Sequence, residues 1–398
     1  MADIVFKNAE VYRTDRKRFI RADLTVGDGK FTELNYSAEE DKEYKEAKKA
    51  KKDEDNKNNG DVIIPGFIDI HSHGAFGIDM FTSDCDKLIE MSGYYAQNGV
   101  TTLFPTTMSE KHDKVMRMIE EVKKAKKNAK INFEGIHVEG PYINTKRRGA
   151  HNPGLIKPPD LGELDDIMSA VLDCGLKLHI TVAPEVDGAG EFILAAIKRG
   201  ATISVGHSEA GSEVLDKAIG YGACSFTHLF NAMSPIHHRD AGVAGYALVN
   251  DTYVEIICDG IHLCPEIVNL VSRAKRDGKI IIVSDSMAAA GLPEGSYNLG
   301  SSRGVVVENG KAFIRNADGT ETIAGSTANL YKELNNFMKF TGKDLADSLW
   351  TVTKNPASAV GIFDRKGEIA AGKDADFIVW NRNNNTIKAV YAGGKKVL

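Results

Sequence analysis

Residues 66–74 read GFIDIHSHG, closing an apolar run that starts at Val62 and is broken only by Pro65, Gly66 and Asp69. Side chains alternate faces along a strand, so a strand over Ile68 to His73 sends His71 and His73 to the same side. Two imidazoles on one face of a strand end suit a single transition-metal ion. The bland alternative is a pair of packed or solvated histidines, and the rest of the chain decides between them.

Outward from this stretch the order strand, loop, helix repeats. Strand-like runs fall at 62–73, 99–107, 131–141, 176–184, 201–207, 223–230, 252–258 and 279–285, with helix-length stretches such as Ser109 to Asn128, Gly188 to Arg199 and Pro265 to Asp277 between most of them. Eight such repeats over about 280 residues have the size and rhythm of an α/β chain of the (β/α)8 TIM-barrel type. A doubly wound sheet is disfavoured, because no G-x-G-x-x-G follows a strand. Residues 1–36 read as short strands around Gly27-Asp28-Gly29, and strand-like runs return at Gly367 to Gly372, Phe377 to Trp380 and Ala389 to Val397. Both ends are expected to build one small β-sandwich domain, with 1–61 as its N-terminal part, 62–345 as the barrel and 346–398 as the last helix and the return. Residues 37–60 carry eight acids and seven lysines with almost no apolar residue, the mark of a solvated segment or short surface helix without chemistry of its own.

Composition narrows the function. The 398 residues are 42% hydrophobic with 38 glycines, as in an ordinary α/β protein, and the net charge of −5 argues against a nucleic-acid or membrane surface. Cys85, Cys174, Cys224, Cys258 and Cys264 form no C-x-x-C pair and leave an odd thiol, which fits a reducing compartment. With no apolar leader or spanning stretch, a cytoplasmic protein is expected.

In a barrel, chemistry collects where strands run into the following loops. There the first strand ends in His71 and His73, the third (GIHVEGP) delivers Glu139, the fifth (ISVGHS) His207, the sixth (SFTHLFNAM) His228 and the eighth (IIVSDS) Asp285. One such histidine is ordinary packing; six polar groups at five strand ends are better explained by a common site. Glu139 lies between the His pair and the later histidines, so its two oxygens could bridge two ions. One ion would take His71, His73 and Glu139, with Asp285 as a further candidate; the other would take Glu139, His207 and His228. This N/O set suits zinc, or iron, manganese or cobalt, better than calcium or magnesium. A metal lowers the pKa of bound water toward neutrality, and Asp285 could take the water's proton and pass it to a leaving group. The outcome is a hydrolase acting on a carbonyl or related carbon. His137 reads as barrel filling, His179 and His112 as structural, and His237 and His238 as loop residues.

With these motifs placed, the chain resembles the amidohydrolase superfamily, and within it the N-acetylglucosamine-6-phosphate deacetylase family. The motifs are PGFIDIHSHG at 65–74, HVEGPYIN at 137–144, GAHNPG at 149–154, VGHSEA at 205–210, THLFNAMSPIHHRDAG at 227–242, CDGIHL at 258–263, VSDSMAAAG at 283–291 and GKDADFIVW at 372–380. The resemblance implies hydrolysis of the acetamido group of an N-acetylated amino-sugar phosphate to the amine and acetate. It implies metal ligation by Glu139, His207 and His228, with His71 and His73 as the extra pair of two-metal members. By the same resemblance Asp285 is the acid/base, His151 contacts the acetamide carbonyl and His262 the bound sugar phosphate. Asn231 and Ala232 contact the phosphate, and Arg239 reaches in from the neighbouring subunit of a homodimer. Arg147 and Arg148 read as a solvated loop face. Two departures stand out: the charged stretch at 37–60, and Ser286 where the family more often has alanine.

Rival readings are kept. Hydantoinase- and dihydroorotase-like relatives bridge their metals with a carboxylated lysine at the end of the fourth strand. Here that strand ends HITVAPE, with Lys177 at its start. A deaminase would not explain Asn231, Arg239 or the GAHNPG loop, whereas the N-acetylgalactosamine-6-phosphate epimer fits equally. A non-catalytic metal-dependent scaffold would not need Asp285.

Overall fold

The computed structural model describes residues 4–36, 60–275, 277–300 and 303–398. All but one residue of the charged stretch at 37–60 lies outside them.

Two parallel sheets carry the centre of the α/β fold. One orders Gly135–Glu139, Lys177–Val182, Thr202–Val205, Ser225–Phe226, Tyr253–Ile256 and Ile280–Ile282 side by side in chain order; the other joins Phe67–Ser72, Val100–Pro105 and Asn132–Phe133. Isolated parallel bridges connect the two sheets at Thr106–His137 and Ser72–Ser286. Helices fill most intervals, among them Cys85–Gln97, Leu161–Asp173 and Ala189–Lys198. Asp84, Asp160 and Asn329 start three helices by accepting the amide hydrogens of Lys87, Glu163 and Lys332, which the first turn would otherwise leave unpaired. The helix expected over Ser109 to Asn128 is confined to His112–Ala125. Nearly continuous apolar strands, covered by helices, make the main core.

Strands from both ends form a single seven-stranded sheet, ordered Lys395–Lys396, Thr386–Ala392, Phe377–Asn381, Asp61–Pro65, Ile4–Arg13, Arg18–Gly27 and Lys30–Tyr36. Register shifts at Phe6/Ala9, Thr25/Val26 and Val379/Trp380 bend it, and Val11, Leu24, Phe31, Ile63 and Phe377 share a core of their own.

Three expectations need correction. The run at 62–73 is two strands in two different sheets. Asp61–Pro65 pairs with Phe377–Asn381, and Phe67–Ser72 pairs with Val100–Pro105. The break falls at Gly66, where a Cβ would lie 2.2 Å from Thr101 Oγ1. Gly367 to Gly372 is turn rather than strand: both glycines take left-handed φ, +87° and +86°, which breaks an extended run. Finally, the stretch assigned to the barrel up to residue 345 contains a four-stranded antiparallel sheet, Gly295–Leu299, Arg303–Glu308, Lys311–Arg315 and Glu321–Ile323. It packs Leu299, Val305, Val307 and Ile314 against Met108, Met287 and Ala289.

At the N-terminal end of the parallel strands lies a compact ion cluster. Lys366, 2% exposed, sits 2.6 Å from Asp376, 3.1 Å from Asp374 and 3.7 Å from Glu134, while Arg365 reaches Glu134 at 2.5 Å and Asp374 at 2.9 Å. Among the described residues no helix is long and apolar enough to cross a membrane.

Candidate metal centre and active site

The opposite, C-terminal end of the same strands gathers the polar residues singled out from sequence. His71 and His73 leave the end of Phe67–Ser72 on one face, and Glu139 ends Gly135–Glu139. His73 Nε2 is 3.2 Å from Glu139 Oε2 and 3.2 Å from Asp285 Oδ1; His71 Nε2 is 3.6 Å from Glu139 and 3.5 Å from Asp285. Glu139 Oε1, the oxygen that faces His71, is also 3.0 Å from both His207 Nε2 and His228 Nε2, which are themselves 3.0 Å apart. Glu139 therefore stands between the two histidine pairs, as the strand-end reading requires.

The backbone is strained where these groups are presented. His207, His228, Phe230, Ala232 and Asp285 take left-handed φ of +50°, +30°, +74°, +49° and +43°. Such conformations cost a non-glycine residue about 1–3 kcal/mol each and persist only where the surroundings fix them. Asp285 is fixed on both sides: its amide donates to the His71 carbonyl at 2.9 Å, and its carbonyl accepts from the Ser326 amide at 2.7 Å.

Neighbouring groups set which nitrogen of each ring faces the centre. His207 Nδ1 donates to the Arg147 carbonyl at 2.7 Å, leaving Nε2 as a lone pair toward Glu139. His71 Nδ1 faces Glu255 Oε2 at 3.1 Å, again leaving Nε2 inward. His151 is the reverse. Its Nδ1 accepts from the Ser109 amide at 3.1 Å and pairs with Ser109 Oγ at 2.8 Å, so the neutral ring carries its proton on Nε2, 3.5 Å from Glu139. His151 belongs to a possible ligand group with Glu139 and His207, as His71 and His73 do with Glu139. The amide of Ser109 nevertheless makes His151 a donor into the site rather than a lone-pair ligand.

Electrostatics favour a cation here. Burial pushes the His73 imidazole down, but hydrogen bonds to Asp285 and Glu139 outweigh it and raise it to about 9; His71 is likewise held well above its ordinary range by Glu139 and Asp285. Burial lowers His207 to about 4. Burial pushes the carboxyls of Glu139 and Asp285 up, yet the facing imidazoles hold both below their usual range. The inward Nε2 of His71 is buried and has no hydrogen-bond partner, although two carboxylates face it. Imidazole nitrogens around a shared carboxylate are the donor set of a divalent transition ion, so the residues present fit one.

A cavity of about 390 Å³ opens over this centre, and His151, Asn231, Ala232 and His262 line it together with Glu139, His207, His228 and Asp285. His262 is anchored through Nδ1 to Asp259 Oδ2 at 2.8 Å. Arg239 is not brought in. It lies on an exposed loop with Nη1 against His238 Nε2 at 2.7 Å, and no Lys or Arg among the described residues lines the cavity. His137 is buried against Thr181 Oγ1, His179 against Thr202 Oγ1, and His112 pairs with Asp166, so all three are structural. Ser286 shares a buried hydroxyl cluster with Ser72, Ser284 and Tyr95. Sequence reading missed Glu255, wholly buried in an apolar strand, and missed the cavity wall formed by Leu299, Glu321, Thr322 and Ile323. The turn pairs Asn309-Gly310 and Asp318-Gly319 were the available signal for that wall.

The amidohydrolase family model matches residues 62–397. An N-acetylglucosamine-6-phosphate deacetylase of Bacillus subtilis (strain 168) is 36% identical over 338 residues, covering 83% of this chain and 84% of that one. One from Danio rerio is 33% identical, covering 84% of each. Among solved structures, the N-acetylglucosamine-6-phosphate deacetylase of Thermotoga maritima superposes with a TM-score of 0.86 at 30% identity, covering 99% of both chains. A mutant of the Mycobacterium smegmatis enzyme in complex with N-acetyl-D-glucosamine-6-phosphate gives 0.86 at 28% identity over 100% of both. On the strength of the match over 62–397 and of these relatives, the chain belongs to the amidohydrolase family.

Proposed function

We propose that this protein is a metal-dependent deacetylase that hydrolyses N-acetyl-D-glucosamine 6-phosphate to D-glucosamine 6-phosphate and acetate. The observation that carries the reading is the placement of Glu139 between two histidine pairs, with Asp285 3.2 Å from His73 at the floor of a cavity lined by His151, Asn231 and His262. The relatives' names supply the substrate.

His71, His73, Glu139, His207 and His228 are the residues that would hold one or two divalent ions, zinc foremost, with iron, manganese or cobalt as the alternatives. Such an ion supplies Lewis acidity, polarising the amide carbonyl and acidifying water. The remaining steps belong to side chains. His151, with its proton on Nε2, donates to the acetamide oxygen and stabilises the charge that grows there. Asp285 takes one proton from the attacking water as its oxygen bonds to the acetyl carbon. It returns that proton to the sugar nitrogen as the C–N bond breaks, so water divides between acetate and amine. His262, held by Asp259, orients the sugar phosphate, and Asn231 and the backbone at Ala232 face its phosphate. A phosphate also calls for a cation. We assign that role to Arg239 of a second copy, and hence a homodimer with shared sites.

We further read the two parallel sheets, bridged at Thr106–His137 and Ser72–Ser286, as one cycle of eight strands, a (β/α)8 barrel that starts at Phe67 and in which Asn132–Phe133 and Gly135–Glu139 count as one interrupted strand. The bent terminal sheet is read as a small sandwich domain formed by both ends of the chain, with Asp61–Pro65 among its strands. The five free cysteines fit a cytoplasmic setting. The deciding experiment is acetate release by purified protein on the glucosamine and galactosamine epimers, before and after chelation. Metal-dependent acetate release from the glucosamine epimer is expected, and an equal rate in the chelated protein overturns the mechanism.

A further inference from the structure

We propose that Glu255 is a positioning residue that fixes the ring of His71 and ties the two halves of the metal centre together. The inference rests on the metal reading above.

Glu255 lies on the strand Tyr253–Ile256 between Val254 and Ile256, and its exposure is 0%. A carboxylate in such surroundings costs several kcal/mol to desolvate unless charged or donor groups meet it. Among the described residues, no lysine or arginine pairs with it. Its Oε2 faces His71 Nδ1 at 3.1 Å and the backbone amide of His228 at 3.4 Å. Its Oε1 is 3.6 Å from His179 Nε2, beyond hydrogen-bond reach, and His179 is already held through Nδ1 by Thr202 Oγ1 at 2.8 Å. Among the described residues, the side chain within hydrogen-bond reach of Glu255 is therefore His71. An acceptor at Nδ1 keeps a proton there, so Nε2 is the nitrogen left to give up its proton and bind an ion on the side of Glu139 and Asp285. That is the inward nitrogen without a hydrogen-bond partner.

The same oxygen reaches the other histidine pair. His228 turns at a left-handed φ of +30° where its amide meets Glu255, and the amide of Leu229 donates to the Glu255 carbonyl at 2.8 Å. One residue thus holds a ring on one side of Glu139 and the backbone that presents a ring on the other. Carboxylates placed behind metal-ligating histidines set tautomer, orientation and basicity, and their loss typically weakens metal binding by about 10–100-fold.

The test is metal affinity, read by equilibrium dialysis of the full chain against zinc or cobalt, with thermal unfolding of the metal-free form beside it. Glu255→Gln keeps the shape and removes the charge. Its ion at the His71 side is expected to bind about 10–100-fold more weakly. In a His71→Asn background the same change is expected to have no further effect on affinity, which a merely structural role would not produce. Glu255→Asp keeps the charge but withdraws it by one methylene, and is expected to weaken the same ion; it serves if the glutamine variant does not fold. Two ions bound with wild-type affinity in either variant overturn the role of Glu255, as does an undiminished effect without His71. A wild-type chain that binds neither ion instead overturns the metal reading, and this inference with it.

Discussion

Glu134 and Glu139 flank one short strand, both buried, at 7% and 3% exposure, yet they end in opposite chemistry. Glu134 meets Arg365 and Lys366, permanent cations whose other contacts, Asp374 and Asp376, complete a paired cluster. Among the described residues, the ion partners of the Glu139 carboxylate are imidazoles: His71, His73, His151, His207 and His228. Permanent ion pairs fix geometry, whereas an imidazole can give up its proton and offer the lone pair to a metal ion. The backbone at the Glu139 end is strained as well, with His207, His228, Phe230, Ala232 and Asp285 all at left-handed φ. One end of the strands holds the protein together, and the other holds strain for chemistry.

The largest expected effect tests the active end. Asp285→Asn should lower kcat by about 10²–10⁴-fold, the usual worth of a general acid–base group. Metal content and unfolding midpoint should stay near wild type; if acetate release survives, Asp285 is not the acid/base.

Lys366→Met breaks the paired end, leaving buried carboxylates without their ammonium at a cost of about 3–5 kcal/mol. Turnover per folded molecule should be unchanged, which separates the two ends. The pH dependence has a definite sign. Burial pushes the Asp374 carboxyl up, but Lys366 and Arg365 hold it below its ordinary value, so its contribution is present above about pH 4 and lost as pH falls. Burial pushes Lys366 down, but Asp376 and Glu134 hold it above its ordinary value, so its contribution is lost only as pH rises past about 10. Urea titrations should therefore show the variant's deficit largest between these limits and shrinking below pH 4.

A smaller effect is expected for Arg239→Ala. One charge-assisted contact to phosphate is worth about 1.5–3 kcal/mol, so KM should rise roughly 10–100-fold with little change in kcat. Mixing this variant with Asp285→Asn should restore some activity if arginine and carboxylate come from different subunits.

Gly325→Ala sharpens the strain argument at the smallest scale. The glycine has φ +67°, and a Cβ there would lie 3.0 Å from the Asp285 carbonyl oxygen. A loss of about 1–2 kcal/mol in stability and a several-fold fall in kcat are expected, measurable by melting and steady-state rates.

The sequence exposed the active end well and the paired end hardly at all. Alternation along a strand puts His71 and His73 together, and strand ends pick out Glu139, His207, His228 and Asp285, because functional groups interrupt otherwise apolar runs there. Glu255 interrupts such a run in its middle, where a carboxylate looks like an edge residue until its neighbours are known. Periodicity is also blind to sheet membership: Val62 to His73 is one apolar pattern but two strands. The Lys366 cluster draws on residues more than two hundred positions apart, with no local pattern to announce it.

Gly66 has a consequence for how the chain matures. It joins Asp61–Pro65, the central strand of the terminal sheet, to the strand that presents His71, and the former is bordered on one side by Phe377–Asn381. A chain growing from its N-terminus at about 5–20 residues per second must carry that strand with one edge bare until Phe377–Asn381 has been made. A nascent chain stalled short of residue 377 thus already holds the histidine-bearing strand against Val100–Pro105, while the strand just before Gly66 still lacks its neighbour on one side.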